Sequence, residues 1–153
     1  MHLSHLELIV IIAGLPDVLL RKLQSVLNAS ARLISGTRKH DHISHVLKDL
    51  HWLPVKQRIK FKLLLTVFKC LNGSAPLYLR RRLNIVNSPK LRSLNKNLLI
   101  VPLSKTKLYG DRRFSVAGPR YWNLLPEEIR LSSSIDIFKS KLKTFLFKEA
   151  YGS

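Results

Sequence analysis

Residues 54–73 decide the fold, and they read PVKQRIKFKLLLTVFKCLNG. Pro54 suits a helix start and Asn72-Gly73 a helix end, so the stretch predicts one long helix. At about 100° per residue, three of its basic residues share one narrow face: Arg58, Lys62 and Lys69. Apolar residues cover most of the remaining circumference: Ile59, Phe61, Leu63, Leu64, Leu65, Val67, Phe68 and Leu71. A helix that is apolar on so many sides is buried on nearly all of them. We therefore expect a central buried helix near 54–72 with one cationic stripe at the surface.

Two helices are predicted before residue 54. Asp17 can cap the first, which should end at Gly36. Its apolar residues recur with helical spacing and should form one stripe against the core: Leu20, Leu23, Leu27 and Ile34. The second helix is short, around 43–50, with its apolar residues on one side.

Beyond residue 73 the pattern is less regular. A short helix is expected at 74–83, with the basic run Arg80, Arg81 and Arg82. Residues 84–107 are loosely patterned, and the apolar run 98–101 within them predicts a short strand or extended segment. A last helix begins near Ser134 and presents five apolar residues inward: Ile135, Phe138, Leu142, Phe145 and Leu146. Lys139 and Lys143 lie one turn apart on its outer side. The sequence therefore predicts a mainly α fold, an irregular helical bundle.

The composition is that of a globular chain with a large positive charge. A chain of 153 residues can bury roughly two-thirds of its unfolded surface, and 46% of the residues are hydrophobic. Lys and Arg number 27 against 9 Asp and Glu, which gives a formal net charge of +18. So much uncompensated charge repels itself in the compact state and favours an anionic partner.

The basic residues are concentrated where acidic residues are absent. Between Asp49 and Asp111 there is no Asp or Glu, so no salt bridge can form within this interval. It contains Lys56, Arg58, Lys60, Lys62, Lys69, Arg80, Arg81, Arg82, Lys90, Arg92, Lys96, Lys105 and Lys107. A polyphosphate could neutralise such a surface and release counterions, which predicts salt-dependent binding to nucleic acid. The alternative is a solvated basic face that keeps the protein soluble.

A membrane partner is a competing interpretation of the charge, because basic amphipathic helices also bind anionic lipid. The apolar run at 8–15 is too short to cross a bilayer, which needs about 20 residues. No basic segment precedes this run, as one would in a signal peptide. We therefore expect no membrane partner.

The sequence contains no clear motif for a metal site, a serine hydrolase or a reactive thiol. The cluster His40, Asp41, His42 and His45 lacks the second, distant ligand pair of a typical zinc site, so no metal site is expected. No Gly-x-Ser-x-Gly turn positions a serine nucleophile. Cys70 is the only cysteine, and its apolar surroundings predict a small buried hydrophobe.

Residues 109–126 read YGDRRFSVAGPRYWNLLP and follow neither helix nor strand periodicity. We call this stretch the tag segment. Its arginines could bind phosphates bidentately: Arg112, Arg113 and Arg120. Its aromatic residues could stack on bases: Tyr109, Phe114, Tyr121 and Trp122. Alternatively, Phe114 and Trp122 are core anchors, and Asp111 pairs with an arginine to fix the turn.

The tag segment resembles the end of the reverse transcriptase polyprotein of jockey-like non-LTR retrotransposons, the LINE-type elements. Three further stretches agree in the same order: AGLPDVLLRKLQSVLNASARLI from Ala13, DHISHVLKDLHWLPVKQRIKFKLLLTVFKCLNGSAPLYL from Asp41, and SSSIDIFKSKLKTFLF from Ser132. Residues 1–12, MHLSHLELIVII, do not look like family sequence.

The resemblance implies the part of the enzyme that follows the palm. It divides the chain into an atypical apolar segment at 1–12, a helical thumb-like region at 13–83, a loop or hinge at 84–108, and the tag segment with the last helix at 109–151. The 84–108 stretch could equally be one surface loop of a single domain.

The family's polymerase aspartates have no counterpart in this chain. Enzymes of the family hold two Mg²⁺ ions on an aromatic-x-Asp-Asp turn for two-metal phosphoryl transfer. The aspartates of this chain are never adjacent: Asp17, Asp41, Asp49, Asp111 and Asp136. We therefore expect no catalytic residue and no cofactor, since Mg²⁺ belongs to the missing part of the parent enzyme.

Together these observations predict a catalytically incomplete fragment of an RNA-directed DNA polymerase that binds the RNA or DNA backbone. Its other partner would be the missing palm, its location the nucleus or cytoplasm as a ribonucleoprotein, and no small-molecule substrate is expected. The predicted backbone ligands are Arg58, Lys62, Lys69, Arg80, Arg81, Arg82, Arg112, Arg113, Arg120, Lys139 and Lys143. Two other interpretations stay open, a helical module that binds an acidic protein and a non-functional relic of a decayed element.

Overall fold

The computed structural model describes residues 15–85, 97–103 and 113–152, and these residues are mainly helical. The helices are α1 (Asp17–Ser35), α2 (Ser44–Asp49), α3 (Val55–Leu71), α4 (Leu77–Arg80), α5 (Phe114–Asn123), α6 (Glu127–Arg130) and α7 (Ile135–Tyr151). The predicted helical bundle is confirmed. The segment at 1–12 and much of the stretch at 84–108 lie outside the described residues.

Helix α3 is the central helix that the sequence predicts near 54–72. It begins after Pro54 and ends at Asn72. Its buried residues are Leu63, Leu64, Leu65, Thr66, Val67, Phe68 and Cys70. Helices α1, α4, α5 and α7 all contact it.

An aromatic cluster joins α3, α5 and α7. The rings of Phe68 and Phe138 stack with centroids 4.3 Å apart, and the ring of Trp122 lies 5.8 Å from that of Phe138. Trp122 and Phe138 are fully buried. Of the residues predicted to face inward on α7, Phe138, Leu142 and Leu146 are fully buried, and Ile135 and Phe145 pack against the same core. One core is thus formed by helices from both sides of the 84–108 stretch.

Helix α1 contacts the rest of the molecule differently from its sequence-based prediction. Leu27 and Ala31 pack on α2, whereas Leu23 and Ile34 are 43% and 61% exposed, so the single buried stripe is wrong. The polar residue Gln24 lies on the contacting side instead, and its side-chain oxygen accepts a hydrogen bond of 2.8 Å from the backbone N–H of Val55. That bond satisfies a donor at the start of α3, and part of the apolar stripe faces solvent while Gln24 contacts α3.

The predicted ends of α1 are half correct. Asp17 is the first helical residue rather than the cap, because the capping position belongs to Pro16 and no side chain bonds there. A carboxylate in the first turn is still favoured by the helix dipole. Gly36 ends the helix as predicted, in the left-handed conformation with φ of 67°.

Two residues of the tag segment hold the chain at 97–99. The indole Nε1 of Trp122 donates a hydrogen bond of 2.6 Å to the carbonyl of Asn97. The amide of Asn123 bonds Leu99 twice: its Oδ1 accepts from the backbone N–H at 3.0 Å, and its Nδ2 donates to the carbonyl at 2.8 Å. Leu99 also forms an isolated antiparallel bridge with Ile85. The run predicted as a strand or extended segment at 98–101 is thus an extended segment with one bridge, and the described ranges contain no strand.

Helix α5 approaches α3 closely at Gly118. A Cβ atom at this position would lie 3.1 Å from Cγ2 of Val67 and 3.6 Å from the ring of Phe114. Both neighbours are buried and cannot move away easily. A side chain at residue 118 would therefore strain the α3–α5 contact.

We expect Gly118→Ala to lower the free energy of unfolding by about 1 kcal/mol. Overpacking costs about 1–3 kcal/mol, which exceeds the gain of up to about 1 kcal/mol from helix propensity. In a Val67→Ala background the close contact is absent, so the same substitution should stabilise the protein. Urea unfolding of the four variants measures both effects, and equal losses in the two backgrounds would contradict the close-contact explanation.

Asn123→Ala should destabilise the protein by about 1–3 kcal/mol, because both backbone groups of Leu99 lose their side-chain partner. The amide of Leu99 should also exchange faster with solvent. Asn84→Ala, an exposed asparagine in the same region, is the matched control and should change stability by less than about 0.5 kcal/mol. Unchanged exchange at Leu99 in the Asn123 variant would argue against the double hydrogen bond.

Candidate nucleic-acid interface

Three of the predicted backbone ligands line one surface cleft of about 330 Å³, which we call the basic cleft. Arg58 and Lys62 come from α3, and Lys143 comes from α7. The rest of the lining is mostly aromatic or apolar: His51, Trp52, Leu53 and Phe61. None of the described residues that line the cleft is acidic.

The antiparallel packing of α3 and α7 builds the basic cleft. Phe68, near the end of α3, stacks on Phe138 at the start of α7. Nearer the start of α3, Nζ of Lys60 bonds the carboxylate of Glu149 at 2.7 Å, near the end of α7. This register places Lys143 beside the middle of α3, where it lines the same cleft as Arg58 and Lys62. Since Arg58 and Lys62 are one turn apart there, the three cations meet at one place.

Arg58 is held in position by the loop before α3. Its Nε donates a hydrogen bond of 2.8 Å to the carbonyl of Leu53. Its guanidinium carbon lies 5.4 Å from the centroid of the Trp52 ring, a cation–π contact. No carboxylate of the described residues pairs with this arginine. Arg58 is thus fixed in place with its positive charge uncompensated.

The end of α7 fixes the same loop from the other side. The hydroxyl of Tyr151 donates a hydrogen bond to the carbonyl of Trp52, and burial raises the pKa of Tyr151 while the charge of Arg58 opposes the shift. His51 stacks on Phe147 with ring centroids 5.7 Å apart. The backbone of His51 has a φ of 54°, which is uncommon for a residue other than glycine. These contacts hold residues 51–53 in a defined conformation at the mouth of the cleft.

The other lysines predicted on α3 and α7 lie near the cleft but do not line it. Lys69 is half-buried on the same stripe of α3, about 10 Å along the helix from Lys62. Lys139 lies one turn from Lys143, and its Nζ donates to the carboxylate of Asp136 at 3.1 Å. The positive charge of Lys139 is therefore partly offset.

The basic run of α4 lies at the other end of α3. Arg80, Arg81 and Arg82 are all exposed. The guanidinium of Arg80 is 3.9 Å from the point where a Cβ of Gly73 would be, just beyond the last residue of α3. Since Lys62 and Leu71 are about 13 Å apart along the helix, these arginines do not reach the basic cleft.

The arginines of the tag segment lie on another side of the molecule. Arg113 precedes α5 and Arg120 lies within it, and both are exposed. Helix α5 packs on Val67, which is about 180° around α3 from Arg58. The structure therefore does not bring these arginines to the cleft, and Arg112 lies outside the described residues.

The aromatic residues of the tag segment are mainly part of the core. Phe114 is 3% exposed and Trp122 is fully buried, so the alternative of core anchors is correct for both. Tyr121 is 39% exposed, and Nζ of Lys60 lies 5.5 Å from its ring centroid. Tyr109 and Asp111 lie outside the described residues.

The sequence did not single out His51 and Trp52, which line the cleft. The signal that could have identified them is an aromatic pair directly before the proline that starts a basic helix. Within the described ranges, the histidines at 40–45 included, no group of three or more His, Cys, Asp or Glu residues could hold a metal ion. Within the same ranges, no helix is long and apolar enough to cross a membrane.

Comparison with known proteins adds no relative. No protein-family model, no curated protein and no solved structure matches this chain. The resemblance to LINE-type reverse transcriptases therefore stays a prediction from the sequence, and the proposed function rests on the geometry of the basic cleft.

Cys70 is buried as predicted, with 5% of its surface exposed. Burial raises the pKa of its thiol to about 11, while the positive charge of Arg80 opposes the shift. Because a thiol needs to ionise before it attacks, this residue should be inert in the folded protein. The raised pKa also favours the folded state below about pH 9, and that contribution is lost as the pH rises through about 11.

We expect Cys70 to react with a thiol reagent at about pH 8 at least about 100-fold more slowly in the native protein than in denaturant. Mass spectrometry of alkylated protein over time measures both rates. Native labelling as fast as denatured labelling would show that the thiol is accessible.

Proposed function

We propose that this chain binds the sugar-phosphate backbone of RNA or DNA at the basic cleft. We further propose that it does so as a catalytically incomplete fragment resembling the region after the palm of a LINE-type reverse transcriptase. The observation that carries the proposal is the meeting of Arg58, Lys62 and Lys143 in one cleft with no acidic lining. They come from two helices that are far apart in the sequence, so the fold itself gathers them.

A gathered set of cations differs physically from a solvated basic face. On a surface that only keeps a protein soluble, like charges are spread apart because distance lowers their repulsion. In the basic cleft three of them stand together, and their mutual repulsion is relieved when a polyphosphate replaces small counterions. Arg58 contributes a planar group that can bond two phosphate oxygens at once.

The proposal assigns binding and not polymerisation to this part of the chain. The described aspartates are spread over separate elements: Asp17 in α1, Asp41 before α2, Asp49 in α2 and Asp136 in α7. Two of them already pair with lysines, Asp17 with Lys56 and Asp136 with Lys139. This spread supports a role limited to holding nucleic acid.

The binding affinity should fall steeply as salt rises between about 50 and about 200 mM, with each phosphate contact contributing about 0.7–0.9 to the logarithmic slope. Replacing all three cations, Arg58→Gln with Lys62→Gln and Lys143→Gln, should reduce the slope by about 2–3 and weaken binding at least about 10-fold at low salt. Fluorescence anisotropy of a labelled oligonucleotide measures both quantities.

The matched control removes the same charge elsewhere: Arg21→Gln, Lys22→Gln and Lys148→Gln, which are exposed residues of α1 and α7 away from the cleft. This variant should keep most of the salt slope. Equal losses in the two triple variants would mean that net charge acts without a defined site, and affinity independent of salt would refute phosphate binding altogether.

A further inference from the structure

The basic cleft has an apolar and aromatic lining that phosphate binding does not use. Trp52, Leu53 and Phe61 line it beside the three cations. Trp52 and Phe61 are half-buried and line the cleft, so part of each side chain is accessible to a ligand. A surface that bound only a charged backbone would need no such lining.

We infer that the basic cleft takes one unpaired base of a single-stranded nucleic acid. The base contacts Trp52 and Phe61, and the phosphates next to it bind Arg58, Lys62 and Lys143. The inference rests on the proposed function and adds the strandedness of the ligand.

The size and lining of the cleft favour a base over a duplex. Its volume of about 330 Å³ lies at the lower end of ligand clefts, which span about 300–1,000 Å³. In a duplex the faces of the bases are stacked on one another, so only phosphates and groove edges could meet the cleft. An unpaired base offers a flat face, and stacking one base on an aromatic side chain strengthens binding by about 5- to 150-fold.

The aromatic lining is held in place before any ligand arrives. The carbonyl of Trp52 accepts a hydrogen bond from the hydroxyl of Tyr151, and the guanidinium of Arg58 lies over the ring of Trp52. Phe61 is fixed because it belongs to α3 and packs against the main core. Groups that are already ordered lose little conformational entropy on binding, which favours tight contact with a base.

The arrangement of cations favours a strand over a free nucleotide. Arg58 and Lys62 lie about 6 Å apart along α3, and Lys143 faces them from α7. Lys69 continues the stripe beyond the cleft. A base within a strand has a phosphate on each side, whereas a mononucleotide carries phosphate at one end only. The cleft therefore matches a polymer that continues in both directions.

The test compares three ligands of equal length: a single strand, the same strand without bases, and a duplex. Because the strand without bases keeps every phosphate, it isolates the contribution of the base. The normal single strand should bind at least about 5-fold more tightly than the abasic strand and the duplex. Equal affinity for the normal and abasic strands, with salt dependence retained, would overturn the inference and leave backbone binding intact. Loss of salt dependence would instead overturn the proposed function.

Phe61→Leu removes the ring and keeps an apolar side chain. Because Trp52 still lines the cleft, this variant should show a smaller preference for the normal strand over the abasic strand while its salt slope stays unchanged. Phe145→Leu is the matched control, because Phe145 is also half-buried against the core but lies on the other flank of α7. An undiminished preference for the normal strand in Phe61→Leu, with folding confirmed by circular dichroism, would count against base stacking on this ring.

Tryptophan fluorescence reports the contact directly. Trp122 is fully buried, so quenching by a stacked base has to come from Trp52. The single strand should quench the fluorescence, the abasic strand should not, and Trp52→Phe should abolish the quenching. Equal quenching by both strands would overturn the inference. A mononucleotide that competes as well as the strand at equal nucleotide concentration would overturn the assignment to a strand.

Discussion

The structure depends on one constraint, which is that one side of α3 carries cations without carboxylate partners among the described residues and cannot be buried. Helices α1, α5 and α7 cover its apolar sides. The remaining side carries Arg58, Lys62 and Lys69, and burying unpaired charges there would cost several kcal/mol per ion. The covering helices therefore have to leave this side open. The orientation of the cationic stripe follows from the hydrophobic pattern, before any ligand is considered.

The sequence of the tag segment is irregular because neighbouring residues have different structural roles. Within the described residues, Gly118 allows close approach to α3, Trp122 fills the core, and Asn123 binds the backbone of Leu99. Each task demands a different residue type at a position set by a different neighbour. No single period can produce such a string, so its irregularity agrees with a structural role. Arg113, just before α5, and Arg120, within it, are exposed and do not line the basic cleft.

Elements governed by local periodicity were predictable from the sequence, and contacts between distant elements were not. The extent and cationic face of α3 follow from the spacing of its own residues, as do the inward residues of α7 and the burial of Cys70. The orientation of α1 involves a hydrogen bond between Gln24 and Val55, which are 31 residues apart. The two hydrogen bonds between Asn123 and Leu99 join residues that are 24 apart. Likewise, Lys143 joins Arg58 and Lys62 only because α7 runs antiparallel to α3. Helix periodicity contains no information about that register.

The positions of the few carboxylates determine which positive charges of this protein remain without a partner. Asp17 pairs with Lys56 where α1 contacts α3, and Glu149 pairs with Lys60 where α7 contacts α3. Asp136 pairs with Lys139 at the start of α7. None of these carboxylates lies in the basic cleft, where the repulsion among three cations raises the free energy of the unliganded protein. A polyanion that binds there relieves the repulsion, and it stabilises the fold to the extent that it binds the folded state more tightly than the unfolded chain. The placement of three acidic side chains thus leaves the three cations of the basic cleft uncompensated, in a chain whose overall charge is +18.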